Sequence, residues 1–155
     1  NAEKIKQYVK NNKDKINNYK KTYVKNRRIT DPLYRLSDNL RSLIRQSFKR
    51  NSFNKKYKTH RILGCSYEEF KLHLESKFES WMNWDNYGLY NGELNHGWDI
   101  DHIKPISSAE TEVDILRLNH YTNLQPLFKT TEIAESFGYK DEIGNRNKTN
   151  KYLLI

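Results

Sequence analysis

The chain has one cysteine, few hydrophobic residues and no long apolar segment. Cys65 is the only cysteine among 155 residues, which excludes an internal disulfide framework and a four-cysteine zinc site. Only 35% of the residues are hydrophobic and the mean hydropathy is −1.02, so the chain can build only a small core. No apolar run approaches the roughly 20 residues of a membrane span, and no secretory segment is visible. We therefore expect one domain with an appended arm, no membrane association and a reduced, intracellular setting.

Positive charge is concentrated in the first 61 residues. That segment holds 19 Lys/Arg and 4 Asp/Glu, a net charge of +15, whereas residues 62–155 hold 9 Lys/Arg and 15 Asp/Glu, a net charge of −6. A basic arm on a mildly acidic body is common in nucleic-acid enzymes, because the arm supplies affinity for phosphates. A solvated basic face or a disordered tail is the other explanation. Arg41, Arg45 and Lys49 lie at helical spacing beside an apolar stripe, which favours binding.

Helical patterns dominate the first half of the chain. A thin apolar stripe over residues 2–26 predicts a long helix that needs a partner or DNA for stability. Asp31 and Pro32 form a helix start, with Asp31 as the N-cap, and the amphipathic stripe that follows ends at Phe48. Residues 50–61 are predicted to be a basic linker or hairpin.

The second half combines helices with two strands, so the predicted fold class is α+β. A capping box at Ser66 opens a helix that is predicted to end near Glu79. The aromatic residues that follow it are predicted to belong to the core rather than to a stacking platform. The later predicted elements are a strand at 98–103, a helix at Glu112–Leu118, a strand at 124–128, a helix at Thr131–Phe137 and a last helix at about Asn145–Leu153.

The pair Asp101-His102 ends the first predicted strand, which Pro105 stops. A carboxylate can hold a divalent metal, and an adjacent imidazole can take a proton from water near neutral pH. Neighbouring side chains on a strand face opposite ways. The pair can therefore serve one reaction only where the strand ends or twists, which the proline permits. By itself, such a pair is usually an ordinary surface or packed pair.

Several segments, in this order, resemble the HNH nuclease family of phages, other viruses and mobile elements. The resemblance covers about residues 64–150 and implies a ββα-metal core in a nuclease domain at 62–155. A mostly helical, basic DNA-binding arm at 1–61 would extend it, and the cytoplasm or nucleoid of a host would be its setting. The matching segments are Gly64-Cys65-Ser66-Tyr67-Glu68-Glu69-Phe70, Met82-Asn83-Trp84-Asp85-Asn86-Tyr87-Gly88, the Asp101-His102 strand, Asn123-Leu124-Gln125-Pro126-Leu127 and Asn145-Arg146-Asn147-Lys148.

The resemblance implies a site with one divalent ion. Asp101 and Asn145 would each offer an oxygen ligand, which suits Mg²⁺ or Mn²⁺, and other transition ions could substitute. His102 would activate the attacking water, and the ion would polarise the scissile phosphate. Asn123 would tie the loop between the strands to the backbone and so orient His102. Lys148 would bind a phosphate, and the products would carry a 5′ phosphate and a 3′ hydroxyl.

Two departures from the family pattern leave alternatives open. The last motif position is Asn rather than His, which should weaken metal affinity. The segment 128–144 is longer than expected, so Asn147 competes with Asn145 as the ligand, although the spacing to Lys148 favours Asn145. Asn145 would also serve as an ordinary helix cap. His96 and His120 are alternative ligands or bases that rank below His102.

The leading hypothesis is therefore a metal-dependent HNH endonuclease that hydrolyses phosphodiester bonds in DNA. The main rival is a catalytically silent nucleic-acid-binding module of the same fold. The intact set of Asp101, His102 and Asn145 argues against the rival, because a binding module has no need of all three. A structural or interaction protein built around the N-terminal helix is a third hypothesis, with little beyond the thin apolar stripe to support it.

Overall fold

A computed structural model of the protein describes residues 1–88, 97–136 and 138. The described residues have an α+β fold with one antiparallel pair of strands, in agreement with the predicted fold class. None of the described helices is long and apolar enough to cross a membrane. The predicted last helix and His96 lie outside the described residues. The elements are α1 (Ala2–Asn11), α2 (Lys13–Thr30), α3 (Pro32–Arg50), α4 (Thr59–Leu63), α5 (Tyr67–Glu75), β1 (Trp98–His102), α6 (Glu112–Leu118), β2 (Leu124–Phe128) and α7 (Thr131–Ser136).

The chain divides into two compact units, Asn1–Asn39 and Leu40–Ile155. In the first unit no residue of α1 or α2 is buried, as the thin apolar stripe indicated. The predicted single helix is two helices, because the backbone leaves helical geometry at Asn12, whose side-chain amide donates to the Tyr8 carbonyl at 2.9 Å. The predicted N-cap is confirmed, since the Asp31 carboxylate accepts from the Tyr34 amide at 2.9 Å.

The core of the second unit draws on both halves of the chain. Ile44 and Phe48 of α3 are fully buried and cluster with Ile62 of α4 and Ile115 of α6. The predicted apolar stripe therefore faces a core, and burial of such side chains contributes about 1.5–3 kcal/mol each. The predicted arm at 1–61 covers the whole first unit and supplies part of the core of the second.

Helices α4 and α5 are joined by a sharp turn at Gly64. Helix α4 lies in the segment that was predicted to be a linker or hairpin, and it ends at Gly64 with φ of 83°. The predicted capping box is confirmed, since the Ser66 hydroxyl accepts from the Glu69 amide at 3.1 Å and the Glu69 carboxylate accepts from the Ser66 amide at 2.8 Å. Helix α5 ends at Glu75 rather than near Glu79, because Phe78 turns inward to the aromatic core.

The aromatic residues after α5 form a core, as predicted. Phe78, Trp84 and Tyr87 surround Trp98, with ring centres at 4.9, 5.3 and 4.6 Å from the centre of its ring. Trp98 is fully buried, and its indole N–H donates to the Asn83 carbonyl at 2.7 Å. These contacts fix the start of β1, the strand that ends in the Asp-His pair.

The two strands pair antiparallel over five residues each. Trp98 lies opposite Phe128, and His102 opposite Leu124. Both strands have the predicted positions, except that β1 ends one residue earlier than expected. Strand alternation places His102 on the same face as Trp98, and Asp101 on the other.

Candidate active site

Asp101 is a buried carboxylate on the central pair of strands. The residue is 3% exposed, and the strand register places Gln125 directly opposite. The Gln125 amide donates to Asp101 Oδ2 at 2.9 Å. Removing an ionised carboxylate from water costs free energy unless hydrogen bonds and opposite charge compensate it. The strand pair therefore fixes the position of this carboxylate.

His102 follows on the opposite face of β1 and is half-buried. Its Nε2 atom lies 3.0 Å from Oδ1 of Asn119, the residue at the end of α6. Asn119 is fully buried. The imidazole is thus oriented by a side chain that the fold itself holds in place.

The loop after β1 is bound to Asn123. The Asn123 side-chain oxygen accepts from the Lys104 amide at 2.9 Å, and its Nδ2 donates to the carbonyls of Lys104 and Leu118 at 3.0 and 2.8 Å. The backbone of Ile103 donates to the Asn123 carbonyl at 2.8 Å. These hydrogen bonds form the tether that the sequence predicted. The effect of the tether on catalysis stays a prediction.

A basic surface lies on the exposed side of α3 and is formed by Arg41, Arg45 and Lys55. The Arg41 guanidinium is 5.7 Å from the ring centre of Tyr67, which suits a cation–π contact. Burial lowers the pKa of Lys55, and the nearby charges of Arg41 and Arg45 lower it further. Lys49 is exposed on the same helix. Arg41, Arg45 and Lys55 therefore lie near enough for their charges to interact.

A cavity of about 560 Å³ opens between α4 and α5. Cys65 lies in its wall, and burial, with a smaller effect of the Glu69 charge, raises the pKa of the thiol to about 11. The thiol is therefore protonated near neutral pH and is a weak nucleophile. The lining residues are His60, Arg61, Gly64, Cys65, Ser66, Tyr67 and Glu68.

The alternative histidine His120 has contacts of a different kind from those of His102. Its Nδ1 atom is 2.8 Å from the Thr122 hydroxyl, and its Nε2 edge faces Gly64. Within the described parts of the chain, no group of three or more His, Cys, Asp or Glu side chains is arranged to hold a metal ion. Asn145, Asn147 and Lys148 lie outside the described residues, so the second ligand and the phosphate contact stay predictions.

Four residues of this region have contacts that were not predicted from the sequence. Gln125 had a signal, because it is the polar residue of an alternating strand, and the strand register places it opposite Asp101. Asn119, Ser47 and Lys55 had none, since their contacts depend on how α3 packs against later parts of the chain. The Ser47–Asn119 hydrogen bond, for example, spans 72 positions.

Comparison with known proteins finds similarity to two proteins of Acanthamoeba polyphaga mimivirus. Uncharacterized protein L426 is 32% identical over 117 residues, which cover 74% of this chain and 48% of the viral protein. Uncharacterized protein L246 is 30% identical over 141 residues, which cover 88% of this chain and 58% of that protein. The chain thus spans about half the length of the curated relatives it matches. No protein-family model and no solved structure matches the chain.

Proposed function

We propose that the chain is a metal-dependent endonuclease of the HNH family that hydrolyses phosphodiester bonds in DNA. The observation that carries the proposal is the Asp101-His102 pair at the end of β1. Its carboxylate is buried and its imidazole is held by a buried amide. The Asn123 tether closes the loop beside it. Similarity to mimivirus proteins is in keeping with the viral origin that the proposal includes.

The donor atoms fit a hard divalent cation. Asp101 offers a carboxylate oxygen from a buried position, and Asn145, by family resemblance, would offer an amide oxygen. Oxygen ligands suit Mg²⁺ or Mn²⁺. When bound, the cation would neutralise charge on the scissile phosphate and on the departing 3′ oxygen.

His102 supplies the proton acceptor in this proposal. A neutral imidazole carries one N–H and one lone pair, and the lone pair can take the proton of the attacking water. The ring is half-buried, and its Nε2 atom lies against the Asn119 amide. Asn123 supports this position by fixing the backbone that leaves the strand.

The basic surface supports DNA as the substrate. Arg41, Arg45 and Lys55 gather positive charge on one side of α3, with Lys49 further along the helix. Each phosphate that such residues neutralise releases a condensed counterion, which drives binding without regard to base sequence. The same surface would also serve the rival hypothesis, a silent binding module.

A nuclease assay with Mg²⁺ or Mn²⁺ on duplex DNA, single-stranded DNA and RNA tests the proposal. His102→Ala should lower the cleavage rate by about 10²–10⁴ and leave DNA affinity unchanged, because the lost group acts on a proton. Asp101→Ala should abolish cleavage and also weaken Mn²⁺ binding in calorimetry. His120→Ala is the matched comparison and should retain cleavage.

The outcomes separate the hypotheses. If cleavage is retained in His102→Ala and lost in His120→Ala, the general base is His120 rather than His102. Wild-type protein that binds DNA and cleaves none of the three substrates would support the silent module instead.

A further inference from the structure

A chain of buried hydrogen bonds connects helix α3 to His102. The Asn119 side chain makes three contacts: its Nδ2 is 2.7 Å from Ser47 Oγ and 2.8 Å from the Ile115 carbonyl, and its Oδ1 is 3.0 Å from His102 Nε2. The Ser47 hydroxyl in turn is 2.7 Å from the carbonyl of Ile44. Asn119 is fully buried, and Ser47 is 3% exposed.

The acceptors in this series of hydrogen bonds determine where the hydrogens of Ser47 and Asn119 lie. The carbonyls of Ile44 and Ile115 can only accept. Ser47 must therefore give its single hydrogen to Ile44, and its oxygen accepts from Asn119. Both hydrogens of the Asn119 amide are then committed, to Ser47 and to the Ile115 carbonyl.

The same hydrogen bonds determine the orientation of the Asn119 amide. A flipped amide would turn its oxygen toward the Ile115 carbonyl, and two acceptors would face each other in a buried site. The Asn119 oxygen therefore faces His102, and the imidazole Nε2 must be the donor.

We propose that Asn119 is a positioning residue that holds His102 in the tautomer with hydrogen on Nε2. In the neutral ring the lone pair then resides on Nδ1, which would be the proton-accepting atom under the proposed function. The assignment of the tautomer follows from the hydrogen bonds alone, whereas its catalytic consequence rests on the proposed function. With the opposite tautomer, an N–H would occupy the position where the reaction needs a lone pair.

The first test reads the tautomer directly in metal-free protein with ¹⁵N-labelled histidine. Long-range ¹H–¹⁵N correlation spectra at mildly alkaline pH distinguish a protonated ring nitrogen from a bare one. Wild-type protein should show His102 with hydrogen on Nε2. Asn119→Ala should show a mixture of both tautomers.

Two further variants separate positioning from a merely structural role. Asn119→Asp keeps an oxygen toward His102 but loses both donors, so it should lose stability as Asn119→Ala does and yet retain the Nε2–H tautomer. Asn86→Ala is the matched control. Asn86 is also buried, and its amide bonds to the backbone of Trp81 and Asn83, so its loss should leave the His102 signals unchanged.

Kinetics supply the second readout. Asn119→Ala should lower kcat by about 10–100-fold, the range seen for residues that orient metal-binding histidines, with little change in KM for DNA. If Asn119→Ala does not fold, Ser47→Ala tests the same chain. It should raise the population of the Nδ1–H tautomer above wild type, by less than the alanine at 119 would.

Hydrogen on Nδ1 of His102 in wild-type protein would overturn the inference. An Nε2–H tautomer that is unaffected by Asn119→Ala, or by Ser47→Ala where that variant replaces it, would also overturn it. A protein that shows the expected tautomers but cleaves no nucleic acid would leave the positioning role standing and remove the proposed function.

Discussion

Gly64 combines a backbone conformation and a close contact that alanine cannot reproduce. Its φ is 83°, in the left-handed region, and a Cβ added there would lie 2.3 Å from Nε2 and 2.5 Å from Cδ2 of His120. An alanine must therefore adopt strained backbone angles and also displace the His120 ring. Displacement breaks the 2.8 Å hydrogen bond between His120 and Thr122.

The cost of Gly64→Ala follows from these two terms. Left-handed backbone costs about 1–2 kcal/mol for a residue with a Cβ. The lost hydrogen bond adds about 0.5–1.5 kcal/mol. We expect Gly64→Ala to lower the free energy of unfolding of the second unit by about 1.5–3.5 kcal/mol in total.

Urea unfolding followed by tryptophan fluorescence measures this change, because Trp98 lies in the core of the second unit. Gly88→Ala is the matched control: its φ is 69°, and no atom of the described residues lies within 4 Å of an added Cβ. It should show the backbone cost alone, about 1–2 kcal/mol. In a His120→Ala background, the cost of Gly64→Ala should fall to a similar value. Equal decreases in the free energy of unfolding for Gly64→Ala and Gly88→Ala would refute the contact with His120.

Two further predictions concern DNA binding and acid stability. Replacing Arg41 and Arg45 by alanine should weaken binding to all duplex sequences in fluorescence anisotropy, and each lost phosphate contact should reduce the slope of log affinity against log salt by about 0.9. Lys56→Ala, whose ammonium pairs with Glu112 at 3.2 Å, should change this slope less, and an unchanged slope for the arginine variant would contradict a phosphate role. The pKa of Asp114 is lowered by hydrogen bonds from Thr111, so the fold favours the ionised form and wild type should be more stable than Asp114→Asn at neutral pH. This difference in the free energy of unfolding should vanish as pH falls through the folded-state pKa of Asp114. A difference that persists in urea unfolding at acid pH would contradict the prediction.

Features set by neighbouring residues could be predicted from the sequence. The helix starts at Asp31 and Ser66 depend on side chains that bond to backbone amides three residues ahead, so a short motif identifies them. The strand that holds Asp101 alternates apolar and polar residues, and the predicted positions of both strands agree with the structure to within a residue. Local rules sufficed here because the interactions that decide these elements are local.

Features set by distant contacts could not be predicted. Helix α5 ends early because Phe78 packs against Trp98, twenty positions later. His102 is hydrogen-bonded to Asn119, and Asn119 to Ser47, which lies 72 positions earlier in the sequence. The residues next to His102 in the sequence do not indicate these partners, because the contacts form only when the helices pack.

Helix α3 limits how the chain could be recombined with other modules. It exposes Arg41 and Arg45, while fewer than two turns later Ser47 contributes to the hydrogen bonds around Asn119. A graft that exchanged residues 1–61 for a segment of another protein would remove this serine and the buried Phe48 together with the cationic side chains. A fusion joint at Asp31, where a helix begins, would preserve them. Transfer of the second unit to another protein therefore depends on retaining α3 from Asp31 onward, and foreign segments are best joined upstream of it.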